Sequence, residues 1–373
     1  MRIPTSEECK DAACMREQHV KAQLRKLGKT PLPLGAVLEE AMAAVALRTE
    51  AESPVHSFIF DLEEMEELCA RDPAALPSED LDYVRTLWNN RPSKKYFRRD
   101  PADKYERFTT RGLRMCADFM SRLETMVSQG STFAQLLGAV AGEAAEDEEP
   151  FLELYGVIFN FCMEWRSQRV WKDGADHMRQ WDKLFDALAP KNIRFAEPCS
   201  SPPSMPPLSS IMKRWQTPDG DTLVCMVAKK TTWVDDPDEA EQAILRATKA
   251  SKDAMDQILR RLRRTVETWV SVTLGRHWTL RCSYRLASGV IVTGNVGTWL
   301  LPNCFSSFPR LLGICRIVLL WGLALEDVAR EIRCDWIGSP PRGPLRIAET
   351  FSPPKPEPMS EEEASPSRKR SRR

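Results

Sequence analysis

From Pro198 to Ser210 the chain reads PCSSPPSMPPLSS, five prolines and five serines in thirteen residues. Proline fixes φ and lacks a backbone N–H, so such a stretch favours an extended connection over a packed helix or inner strand. It predicts a linker at 199–212 that divides the 373 residues into two parts, each long enough to bury a core. Before Pro198 apolar residues recur at helical spacing and strand-like alternation is nearly absent. The expected class is therefore mainly α. An N-terminal helical segment covers 1–55 and a helical domain 56–198. After the linker come a small β module at 213–238 and a charged amphipathic helix at 239–275. A mixed region at 276–338 takes no assigned fold, and a tail at 339–373 is expected to stay disordered because it has almost nothing to bury.

Fifty-three Lys and Arg balance fifty-three Asp and Glu, so no global field draws the chain to nucleic acid, and such a partner is not expected. Eleven cysteines contain no C-x-x-C pair, and His19, His56, His177 and His277 have no metal-ligand spacing. No Gly-rich phosphate loop and no nucleophile motif is present. The chain reads as non-catalytic, without cofactor or metal. The longest apolar run, Leu311 to Leu325, is too short to span a bilayer and contains Arg316, which makes it a buried helix. With no apolar stretch of signal-peptide length at the start, an intracellular setting without membrane contact is expected.

The stretch Glu148–Trp165, EEPFLELYGVIFNFCMEW, is the most informative helix. At 100° per residue, Phe151, Leu154, Tyr155, Ile158, Cys162 and Trp165 share one face. Leu152, Val157, Phe159, Phe161 and Met163 flank that face, while Glu153, Gly156, Asn160 and Glu164 form the single polar strip. Asn160 is thereby expected in solvent. The residues Asp118, Phe119 and Leu123, followed by Phe151, Glu153, Tyr155, Phe159, Asn160 and Phe161, resemble the pattern of the defective-in-cullin-neddylation family. Trp181 in MRQWDKLF looks like the tryptophan of that family's next helix. The resemblance spans about 62–188, half of the family's domain, and nothing after Pro190 matches the cullin-gripping patch. It implies a non-catalytic, ligase-type scaffold in which Phe151, Tyr155, Phe159, Phe161 and Trp181 build an apolar pocket. That pocket would take the neddylation conjugating enzyme and orient it toward a cullin.

Two further segments carry their own expectations. Residues 213–238 resemble a degenerate WW module, with Trp215, a PDG turn, and Trp233 ahead of Pro237; Leu223 and Val224 stand where paired aromatics belong. Trp233 would present its ring to proline-rich peptides. That supports a second reading, a proline-motif-binding nuclear adaptor, with RNA processing as one setting. The tail ends in PSRKRSRR, with five basic residues in its last six, and reads as a nuclear-import signal. A nuclear or nucleocytoplasmic location is expected.

Overall fold

The computed structural model describes residues 6–27, 42–47, 52–97, 105–142, 148–167, 174–196, 211–229, 237–286, 289–333, 347 and 350–351. Among the described residues seven strands form one sheet: β1 (Ile59–Asp61), β2 (Arg194–Ala196), β3 (Ile211–Gln216), β4 (Thr222–Lys229), β5 (Thr268–Leu274), β6 (His277–Arg285) and β7 (Ile291–Leu300). Their spatial order is β1-β7-β6-β5-β4-β3-β2. β1 runs parallel to β7 and β4 to β5, and the other neighbours are antiparallel. This overturns the mainly α expectation of separate helical and small β units. The two outermost strands are three residues long, too short to show any alternation, and they are recruited from segments that otherwise read as helical.

The Pro/Ser stretch does not separate two folds. Ala196 pairs with Arg214 across β2 and β3, so the chain on either side of 197–210 belongs to the same sheet. The WW-like expectation is corrected for the same reason. β3 and β4 do form a hairpin around Gly220, whose φ of 88° suits its turn. However, the outer side of β4 is taken by β5, with Val224 opposite Trp269, and Trp215, Leu223 and Val224 are all buried. The hairpin is interior sheet, not a module. Trp233 lies outside the described residues.

Nine helices are defined with their bounds among the described residues. They are α1 (Ser6–Leu27), α2 (Leu62–Arg71), α3 (Ser78–Asn89), α4 (Arg111–Ser128), α5 (Phe133–Ala141), α6 (Phe151–Arg166), α7 (Gly174–Leu188), α8 (Pro237–Leu262) and α9 (Phe308–Arg333). The long helix expected over 239–275 is α8 followed by a strand. Arg263, at φ 55°, ends the helix, and the β-branched Thr268, Val270, Val272 and Thr273 continue as β5. α8 lies on one face of the sheet, where Ala240, Ala243 and Ala247 pack on Val227, Val270, Val272 and Leu274.

α7 and α9 cover the opposite face, with α4 to α6 outside them. Their meeting point is aromatic: Trp181 stacks on Phe185, Trp215 on Trp321, and Trp278 lies against Phe185, Trp181 and Trp321. Each such ring contributes on the order of 2–3 kcal/mol by burial, so this cluster anchors the helices to the sheet. At the other end, α2 and α3 cross β7 above Gly294. A Cβ there would stand 2.9 Å from both Leu62 Cδ1 and the Trp88 ring. Glycine lets α2 come down onto the strand, which sets the geometry of the site described next.

Candidate functional site

On β6 the side chains of His277, Thr279 and Arg281 alternate with buried Trp278, Leu280 and Cys282, so the polar set shares one face of the sheet. Beside them β7 brings Asn295 and Thr298, and α2 brings Glu63, Glu64, Glu67 and Arg71 from the end of β1. The first half of α8, with Glu241, Gln242, Ile244 and Leu245, and residues Glu52 to Pro54 complete the walls. The cleft, open to solvent, measures about 790 Å³. Six carboxylates, Glu52, Asp61, Glu63, Glu64, Glu67 and Glu241, face two guanidiniums, Arg71 and Arg281.

At the floor, Arg281 Nη2 donates to both oxygens of Asp61 at 2.6 Å and to Glu63 Oε2 at 2.9 Å. The other oxygen of Glu63 accepts the Asn295 N–H at 2.7 Å, the contact that the glycine crossing permits. Burial works against the Arg281 charge, and the Asp61 and Glu63 carboxylates outweigh it and hold its pKa above the ordinary value. This cluster is fixed structure. Glu64 differs: burial pushes its carboxyl up to about 7, against an opposing hydrogen bond from Ser53. His277 adds a buried Nδ1 that makes no hydrogen bond among the described residues. Thr279 and Thr298 share a hydroxyl bond at 3.1 Å on the open side.

Such a wall suits a cation that brings its own apolar stem. Glu64, Glu67 and Glu241 supply charge without a fixed guanidinium partner such as Arg281 gives Asp61, and Pro54, Ile244 and Leu245 supply apolar surface for methylene groups. Among the described residues no group of three or more His, Cys, Asp or Glu is placed to hold a metal ion. Among the same residues no helix is long and apolar enough to cross a membrane.

The residues singled out from sequence lie elsewhere. Phe151, Phe161 and Trp181 are core side chains, and Trp181 Nε1 donates to the Gly275 carbonyl at 3.2 Å. Tyr155 and Phe159 are half-buried and stacked, with centroids 5.9 Å apart, while Leu152 and Met163 near them are exposed. Asn160 is exposed, as the helical wheel has it. With Gly156, Val157, Phe161 and Ala187 it lines a second groove of about 550 Å³ between α6 and α7, rimmed by Glu153, Gln180, Lys183 and Asp186. Of the five residues the resemblance implicates, only Phe161 reaches that groove.

No known protein family, curated protein or solved structure matches this chain. The cleft residues escaped sequence reading because Asp61 and Arg281 stand 220 positions apart and because DLEEMEE reads as an ordinary solvated helix face. One local signal was available: a run of five acidic residues among seven at a short apolar segment's end, where a helix begins.

Proposed function

We propose that this chain is a non-catalytic binding protein that takes Lys- and Arg-rich polypeptide segments into the carboxylate-lined cleft. The observation that supports it most is the excess of carboxylates around partly apolar walls, with Arg281 already committed to Asp61 and Glu63. Glu67 and Glu241 carry the attraction, joined by Glu64 as its carboxyl ionises above about pH 7, and the Arg281 cluster keeps α2 in place beneath them. Partly exposed charge pairs contribute about 0.2–1 kcal/mol each, so three together amount to roughly a tenfold change in affinity. Fluorescence anisotropy with a labelled octapeptide of Lys and Arg tests this. The chain carrying Glu64→Gln, Glu67→Gln and Glu241→Gln is expected to bind about tenfold more weakly than the wild type. Equal binding by the two chains, or equal binding of an uncharged peptide, contradicts the proposal.

A second reading keeps the neddylation scaffold. What favours it is the groove between α6 and α7, whose floor is apolar and lies on the two helices that carry the family resemblance. In this reading the modified N-terminus of the conjugating enzyme occupies the groove, and proximity to a cullin lysine does the rest. Retention of conjugating enzyme by the immobilised chain is the expected result, and its absence rules the reading out.

A further inference from the structure

Far along the sequence, Thr350 and Phe351 return to the body of the protein. Phe351 is 5 % exposed, its N–H donates to Ser57 Oγ at 3.0 Å, and its carbonyl accepts Lys249 Nζ at 3.0 Å. Its ring meets His19 edge-on at 5.4 Å and lies 6.3 Å from the ring of His56. The Thr350 hydroxyl donates to Asp253 and accepts Lys252 Nζ at 3.2 Å. Both backbone polar groups of Phe351 and the one side-chain polar group of Thr350 are thus satisfied by α8 and the segment before β1. This is a built clip for two residues, which holds the chain at a defined place.

That place is the rim of the cleft. Lys249, which holds the Phe351 carbonyl, also pairs with Glu52, and Glu52, Ser53 and Pro54 form one wall of the cavity. Beyond Phe351 the sequence runs through 352–367, with five prolines, to Arg368, Lys369, Arg370, Arg372 and Arg373. A stretch of sixteen residues can span at most roughly 55 Å, a limit set by chain length alone and ample for a site that begins at the clip itself.

We infer that residues 368–373 are an intramolecular occupant of the carboxylate-lined cleft, tethered there by the Thr350–Phe351 clip. The inference rests on the proposed function of that cleft. Charge selects the segment: it puts five cations into six positions and so matches Glu64, Glu67 and Glu241. The tether makes a weak contact sufficient, because a short linker holds its end at an effective concentration of about a millimolar. A basic segment from another protein must then displace the chain's own, so the cleft is open to strong or abundant partners and closed to weak ones.

The probe is a labelled peptide of residues 364–373 added to three full-length chains. One is wild type; one has Arg368, Lys369, Arg370, Arg372 and Arg373 changed to Gln; one carries Phe351→Ala. An internal competitor at about a millimolar against a peptide of roughly 100 µM affinity masks the cleft about tenfold. The tail-neutralised chain is therefore expected to bind the probe about tenfold more tightly than wild type, and Phe351→Ala to gain part of that. The gain is expected to vanish when Glu64→Gln and Glu241→Gln are added to the neutralised tail. Equal binding by wild-type and tail-neutralised chains overturns the internal occupancy and leaves the cleft's function standing. Absence of binding by either chain overturns both, and a gain that survives Glu64→Gln and Glu241→Gln places the tail somewhere other than the cleft.

Discussion

Glu64 shows how one residue can cost stability where it serves binding. Its folded pKa is raised by burial from about 4.5 to about 7, so the folded state prefers the neutral acid. The linked stability is therefore fully present below about pH 4.5 and is lost as the pH rises through 7. Glu64→Gln, neutral at every pH, is expected to be more stable than wild type at pH 8 by about 1–2 kcal/mol, after allowance for partial solvation. Near pH 4 the two chains should unfold at the same urea concentration. A difference of equal size at both pH values would show that the carboxyl is not desolvated. Not all of this was readable in the sequence. Asn160 could be placed on the polar strip of its helix because a wheel needs only local spacing, whereas Glu64 is buried by the fold and hydrogen-bonded to Ser53, eleven positions away, which no helical or strand period connects.

Elements were legible where a helix long enough to show its period was also amphipathic. The ends of α6 follow from Pro150 before Phe151 and the polar residues after Trp165, and α9 grows from the apolar run that includes Arg316. Residues 239–275 do not run as one helix. The stripe of Ile244, Ala247, Met255, Ile258 and Leu262 continues numerically into Val266 and Trp269, but those two belong to a loop and a strand. Helical spacing and alternation coincide over so short a distance, and the β-branched residues decide the outcome. The α6–α7 groove gives a prediction at this scale. Space is open where a Cβ would stand on Gly156, so Gly156→Trp should fill the groove without disturbing the helix. If the conjugating enzyme binds there, this substitution should abolish its retention; undiminished retention would place the contact elsewhere.

At the scale of the whole molecule, the partition into domains was misread because the contacts that join the halves are remote in sequence. β1 pairs with β7 from Ile59 opposite Ile291, and β2 pairs with β3 across the Pro/Ser stretch. Neither pairing leaves a local trace. The balanced net charge hid a second fact, that opposite charges are segregated between the cleft and the basic end of the sequence. Segregated charge acts over a Debye length, so binding in the cleft should be governed by salt and by the ionisation of Glu64. The measurement that bears most directly on the central claim is the affinity of the tail-neutralised chain for a labelled basic peptide, followed across ionic strength and pH. The cleft account requires affinity to fall steadily between roughly 50 and 500 mM salt. It also requires affinity to rise as the pH passes upward through about 7, where Glu64 gains its charge. An affinity that ignores both variables would contradict it.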